Sequence, residues 1–138
     1  MATTTYLSQP NTVTFAGTDI TDQCSAITLT LGYTPLPSTA FGDTGERAVA
    51  GLQTVNVTMT LYASYGATEI EGLLAGELGQ GDTTLVVKKG SGAIAADNPE
   101  WTISNTMLAD YGVSYTVGEL QVFEVTLTGG TWVRDITP

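Results

Sequence analysis

From Gln53 to Tyr62 the chain alternates strictly, QTVNVTMTLY, and the segment 26–31, AITLTL, does the same. Successive side chains of a strand point to opposite faces, so this period of two commits both segments to β structure. Ile27, Leu29, Leu31, Val55, Val57, Met59 and Leu61 fall on one face, suited to a core. Thr28, Thr30, Thr54, Asn56, Thr58 and Thr60 fall on the other, which is polar but carries no charge. Strands that simply face solvent usually carry Lys or Glu, partly to block edge pairing, so an uncharged polar face is unusual.

Two such strands are ordinarily joined by a turn of about two to five residues. Here residues 32–51 intervene, with Gly32, two prolines, Gly42, Gly45 and Gly51. From Tyr33 to Leu52 the chain is too apolar for a disordered tip, holding Tyr33, Leu36, Phe41, Val49 and Leu52 beside Asp43, Glu46 and Arg47. It is too broken by Gly and Pro for a helix. Such a segment is expected to order against another surface, as a long inter-strand assembly loop.

The remaining chain supports an all-β reading. Residues 1–10 are polar and read as an N-terminal arm. Short strands are expected over 12–15, 84–88, 120–128 and 131–136, with one or two more in 101–115. Residues 67–78, ATEIEGLLAGEL, form the one good helix candidate, with Ile70, Leu73, Leu74 and Leu78 as its apolar stripe, Ser64 or Thr68 as start signals and Gly79 as a stop. Gly72 and Gly76 weaken it, so it must lean on a sheet. No internal repeat or linker interrupts the 138 residues. A single domain is expected, a β-sandwich or partial barrel with one flanking α-helix. In the C-terminal strand Leu120 and Val122 share parity with Glu124, which leaves the direction of Glu119 and Glu124 open.

Charge and composition narrow the function. Four Lys and Arg face fourteen Asp and Glu, a net charge of −10 in a chain only 13% charged. Such a balance repels nucleic acid, since phosphate contacts need cations. With no histidine and one cysteine, Cys24, the chain has no intramolecular disulfide, no ordinary Cys/His zinc site and no histidine-based nucleophilic machinery. Cys24 reads as a small packed residue. No basic n-region or apolar run marks a signal peptide, and no stretch is long enough to span a membrane, so a soluble protein made in the cytoplasm is expected.

Other motifs have plain readings. Asp43-Thr44-Gly45 matches the aspartic-protease tripeptide but lacks apolar strands around it, and reads as a glycine-rich turn. LGQGDTTLVVKKGSG lacks the order of a phosphate-binding loop, so Lys88 and Lys89 read as a solvated pair or as partners for acids on a neighbouring chain. Asp19-Ile20-Thr21-Asp22 is too poor in oxygen ligands for calcium and reads as a turn. Asn56-Val57-Thr58 is a glycosylation sequon without a secretory context. Tyr62 and Tyr65 could offer a sugar platform, with ordinary packing as the simpler reading. No catalytic residue, metal site or cofactor is expected.

An uncharged sheet face, unprotected strands and an apolar projection together suggest repeated self-association, with ring closure removing the edges. The passage from Thr12 to Leu61, above all Thr39-Ala40-Phe41-Gly42-Asp43-Thr44-Gly45-Glu46-Arg47 and Ala50-Gly51-Leu52, resembles the major tail tube proteins of long-tailed bacteriophages, in the variety found in phages of actinobacteria. The resemblance implies hexameric rings stacked into a tube in the virion tail. Residues 32–51, with Tyr33, Leu36, Phe41, Asp43, Glu46, Arg47 and Val49, would reach onto neighbouring subunits and rings. Thr28, Thr30, Thr54, Asn56, Thr58 and Thr60 would face a channel through which DNA slides without sticking. Partners would be further copies of the chain and other tail proteins at the tube ends, with no membrane. A tail terminator, a capsid decoration protein or a small β-sandwich binding module are the alternatives, and an aspartic-type hydrolase a third class.

Overall fold

The computed structural model describes residues 12–66, 68–90 and 92–137. The expected N-terminal arm over 1–10, and Ala67 at the expected start of the helix, lie outside them. The elements are β1 (Thr12–Phe15), β2 (Thr18–Asp19), β3 (Cys24–Pro37), β4 (Ala48–Tyr62), α1 (Ile70–Glu77), β5 (Thr83–Lys88), β6 (Glu100–Ser114), β7 (Val122–Thr128) and β8 (Thr131–Asp135). All strand pairings among them are antiparallel, in the order β2-β1-β5-β6-β7-β4-β3, with β8 added to β6.

The strand β6 organises this sheet. Its first half pairs with β5 and β8, and its second half with β7. The change of partner falls at Asn105, which sits in the left-handed region at φ 57°. Asparagine tolerates that region better than most residues. Directly against it runs the β7–β8 turn, where Gly129 and Gly130 also have positive φ. A Cβ on Gly130 would collide with the Ser104 carbonyl and come within 2.9 Å of the Thr106 nitrogen. Thr106 is fully buried at this corner, its hydroxyl donating to the Thr128 carbonyl at 3.2 Å.

Folding the sheet over at β6 encloses one apolar cluster. Val13 and Phe15 enter from β1, Leu85 and Val87 from β5, Ile103 and Leu108 from β6. Val55, Val57, Met59 and Leu61 face them from β4, and Phe123, Val125 and Leu127 from β7. The apolar half of the β4 alternation is therefore core. Its β3 counterparts Ile27, Leu29 and Leu31 are half-buried against the same cluster. Each fully buried side chain of this size contributes roughly 1.5–3 kcal/mol.

The helix is shorter than its pattern suggested. It begins at Ile70 with Glu69 at the N-cap, so neither Ser64 nor Thr68 is the cap residue; the Ile70 N–H donates to the hydroxyl of Ser64, further back in the chain, at 3.2 Å. Only Ile70 and Leu74 of the stripe are buried, with Leu73 packed beside them. Leu78 lies past the end and is exposed. The chain is pulled from the helix there by a bridge to Leu108, with the Gly79 N–H donating to the Leu108 carbonyl.

The expected loop over 32–51 is mostly strand, which corrects the reading of that segment. The β3–β4 ladder runs on through Tyr33↔Gln53, Pro35↔Ala50 and Pro37↔Ala48, so the true loop is only residues 38–47. Proline is tolerated because β3 is an edge strand whose outward side needs no donor. Gly51 is required at the bulge between Tyr33 and Pro35, where a Cβ would lie 2.8 Å from the Thr34 carbonyl. Local Gly and Pro content suggested a break; non-local pairing overrode it.

Candidate assembly surfaces

Three surfaces meet on β3, β4, β7 and the second half of β6. The first is the polar sheet face. Pairing places Thr28, Thr58, Thr126 and Asp110 in one row across the four strands. Thr30, Asn56, Thr128 and Met107 form the next, and Ala26, Thr60, Glu124 and Gly112 the row on the other side. Thr54 stands beyond the end of β7, opposite Gly32. Thr28, Thr30, Thr54, Asn56 and Thr58 are exposed, and Thr60 is half-buried. A shallow hollow opens at Gly112, lined by Thr58, Thr60, Asp110 and Glu124 among others.

Glu124, whose direction the sequence left open, belongs to this face. The strand starts at Val122, so Leu120 lies outside it and exerts no constraint. Phe123, Val125 and Leu127 are buried, and Glu124 must point the other way. Asp110 joins the face through a bulge at Ala109 that re-phases β6. Glu119 instead lies in the exposed β6–β7 connection. The chain's cations are elsewhere: Arg47 on the hairpin tip, Lys88 and Lys89 at the end of β5, Arg134 on β8.

The second surface is a pair of open margins. Among the described residues β3 pairs only with β4, and the second half of β6 pairs only with β7 apart from the Leu108 bridge. The half-sheet that carries the polar face thus ends in unpaired backbone on both sides. Pro35 and Pro37 lack N–H groups, which blunts β3 toward the hairpin and leaves its body segment as the pairing template.

The third is the hairpin itself. Tyr33, Leu36, Phe41, Val49 and Leu52 are exposed, Phe41 completely so. Its tip is tied by Asp43, which accepts from the Ala40 N–H at 2.7 Å and pairs with the Arg47 guanidinium at 3.3 Å. The Arg47 N–H donates to the Thr39 hydroxyl, and the Ser38 N–H to the Arg47 carbonyl. Glu46 is exposed beside them. The Asp-Thr-Gly tripeptide is therefore a turn whose carboxylate organises its own loop.

Residues the sequence did not single out hold the base of this hairpin. The Gln53 amide donates to the Trp132 carbonyl and accepts from the Trp132 N–H, both at 3.1 Å. One side chain thus imitates a strand residue and spans the gap that opens where β8 leaves β7 to join β6. The Trp132 indole N–H donates to the Gly32 carbonyl at 3.2 Å, and Tyr33 meets the indole edge-on at 5.7 Å. No local pattern announces this latch, because Gln53 and Trp132 are 79 positions apart.

The other candidate motifs are structural. Asp19 accepts from the Thr21 hydroxyl and N–H, which holds its carboxyl below the usual range and makes 19–22 a turn. Burial pushes the Cys24 thiol up, and it donates to the Ala26 carbonyl. Lys89 donates to the Asp97 carbonyl at 2.8 Å. Tyr65 packs edge-on against Phe123, and its hydroxyl bonds Tyr115 and Gln121. Among the described residues no cluster of acidic or Cys side chains could hold a metal ion. No described helix is long and apolar enough to cross a membrane.

No family model matches the chain, and no curated protein matches it in sequence. Solved structures do match in shape. The SPP1 tail tube superposes with a TM-score of 0.73 at 10% identity, covering 95% of this chain and 79% of that one. The tube-terminating cap of the anti-feeding prophage does so with 0.72 at 11% identity, covering 99% and 95%. A chain of the sheath–tube complex of the PVC extracellular contractile injection system gives 0.67 at 15%, covering 92% and 88%. The chain is an all-β structure with one short flanking helix, and its fold is tail-tube-like.

Proposed function

We propose that this chain is a structural subunit that assembles into hexameric rings, which stack into the tail tube of a long-tailed bacteriophage of the actinobacterial type. One observation carries the reading: the half-sheet that bears a polar, cation-free face is also the half-sheet that, among the described residues, is left unpaired along both margins. Joining the β3 margin of one copy to the β6 margin of the next continues the sheet and leaves no edge exposed. Four strands from each of six copies would give a barrel of about 24 strands. At about 4.8 Å between strands and a tilt near 40°, its backbone diameter is about 45–50 Å.

Such a barrel presents Thr28, Thr30, Thr54, Asn56, Thr58, Thr60, Thr126, Asp110 and Glu124 to its lumen. Hydroxyls offer hydration without cationic grip, and carboxylates repel phosphate, so DNA would pass without sticking. Six copies carry about 6 × 10 = 60 net negative charges, which strengthens that field. The hairpin, with Tyr33, Leu36, Phe41 and Val49 outward and Asp43, Glu46 and Arg47 at its tip, would reach neighbouring copies. On this reading the chain is made in the cytoplasm of a bacterial host, resides in the virion tail and meets other tail proteins at the tube ends.

Electron microscopy of the concentrated protein tests the proposal. Rings or tubes of uniform diameter are expected; persistent monomers would refute it. A tube terminator is the second reading, favoured by the likeness to a terminating cap along nearly the whole chain. A terminator would stop at single rings under conditions in which a tube subunit stacks.

A further inference from the structure

The open margin of β6 is shorter than the half-strand that carries it. The Val55 carbonyl accepts from the Gly129 N–H on the β7 side, and the Tyr62 N–H donates to the Gln23 carbonyl on the β3 side. Odd-numbered residues of β4 therefore bond β7 and even-numbered ones β3, since backbone groups alternate in direction along a strand. The ladders then leave the backbone groups of Ile27, Leu29 and Leu31 turned out of β3, and those of Tyr111 and Val113 out of β6. Leu108 also turns outward, but there the margin is occupied. The chain leaving α1 bridges it through Leu78, and the Gly79 N–H donates to its carbonyl at 3.1 Å. Gly79 then turns the chain away at φ 79°. The helix end is itself tied down. Glu77 accepts from the hydroxyl of the buried Thr83 at 3.0 Å, and Thr83 pairs with Thr106 of β6.

We propose that this α1 exit, Leu78 and Gly79, is a stop that sets the register in which the β3 of a second copy joins β6. The inference rests on the tube reading and adds which residues meet at the joint. A closed ring brings β3 antiparallel to the neighbouring β6, because three antiparallel pairings separate the two strands within each chain. The incoming β3 has an end of its own. The bulge past Tyr33 and the missing N–H groups of Pro35 and Pro37 finish its usable template. Matching the two ends sets Tyr33 level with Ala109, Leu31 opposite Tyr111 and Leu29 opposite Val113. Moving β3 two residues further along would drive Tyr33 past Leu108 and into Leu78; moving it back loses paired residues. A shift of one residue would set apolar side chains against the polar face. The match also joins like chemistry. Leu29, Leu31, Tyr111 and Val113 are half-buried flanks of the core, lying along the two open margins. Side by side they would bury one another, so the core of each copy runs on into the next. Because β3 carries no charged residue, Asp110 meets only Gly32 across the joint.

In that register Thr30 of one copy faces Gly112 of the next as a pair without mutual backbone bonds. Their Cα atoms would lie about 4.5 Å apart, within reach of a disulfide. Within one chain the two residues are three strand spacings apart, about 14 Å, so a bond between them must join two copies. The test assembles and oxidises Thr30→Cys with Gly112→Cys in a Cys24→Ala background; a Cβ at Gly112 meets no neighbour. Thr28→Cys with Gly112→Cys, a diagonal pair at about 7–8 Å, should cross-link about tenfold less. Rings in which the Thr28 pairing wins, or in which neither pairing reacts, would overturn the stop and leave the tube reading intact. A covalent ladder without rings would keep the register and sink the tube reading; neither rings nor ladder would sink both. In a second arm Gly79→Val, strained at φ 79°, should free the Leu108 margin and narrow the preference to about threefold or less. Thr83→Val, isosteric and buried, unties Glu77 and should move the ratio the same way. A ratio unchanged in both variants would overturn the role given to Leu78 and Gly79.

Discussion

Replacing Gln53 by leucine should loosen the seam between β4 and β8 without touching the apolar core. The substitution removes the two bonds at 3.1 Å that satisfy the Trp132 N–H and carbonyl. A fully buried orphan costs about 1–3 kcal/mol, and this seam is only partly buried, so about 1 kcal/mol for each group, or about 2 kcal/mol in all, is the reasoned value. For a chain of 138 residues that corresponds to a fall in Tm of about 6–10 °C. Urea unfolding of dilute, disassembled subunit is the assay, because assembly would itself stabilise the fold. The midpoint should fall with the slope unchanged. Trp132 emission should shift, since Gly32 and Tyr33 hold that indole from the hairpin side. Gln53→Glu supplies a control with a sign. Its carboxylate can still accept from the Trp132 N–H but opposes the carbonyl, so the folded state holds the proton more tightly than the unfolded chain. The folded pKa is raised, so the stability is present below the unfolded value of about 4.3 and lost as pH rises through the folded value. A leucine variant within about 0.5 kcal/mol of the parent would refute the idea that this amide completes the sheet.

Four further outcomes are expected. Gly130→Ala forces a Cβ onto the Ser104 carbonyl at φ 97°, and should cost about 3 kcal/mol or more; a parent-like Tm would remove the corner from the account. Phe41→Ser should change subunit stability by less than about 0.5 kcal/mol, since the ring is fully exposed, yet abolish long tubes in electron micrographs. Thr58→Lys with Thr60→Lys should leave tubes intact but slow DNA release from particles at low salt, and unchanged release would count against a lumenal face. The hydrogen bond to Tyr115, then burial, pushes the Tyr65 phenol up to about 12. Its stabilising effect is full below the ordinary value near 10 and is lost as pH rises through about 12. Tyrosinate absorbance should show a late-titrating component from Tyr65 that moves toward 10 in Tyr115→Phe.

Much of the polar face was legible because strand alternation is a local property. Once Val55, Val57, Met59 and Leu61 are apolar, the pleat sends Thr54, Asn56, Thr58 and Thr60 the other way whatever the rest of the chain does. The same rule would have oriented Glu124, had the strand been started at Val122 and not at Leu120. The exposed apolar hairpin was also visible in composition, though its form was misread. Gly32, Pro35, Pro37 and Gly51 look like breakers until β4 is laid beside them, because an edge strand needs few donors and a bulge needs a missing Cβ.

What the amino acids determined alone is therefore which faces are wet and which are dry, together with a charge balance hostile to nucleic acid. Tertiary structure decided the rest. The partner exchange at Asn105, the Gln53 splice to Trp132 and the two open margins depend on pairings between residues tens of positions apart. Periodicity constrains each strand's faces but says nothing of its neighbours, because the backbone groups that choose them are the same in every residue except proline.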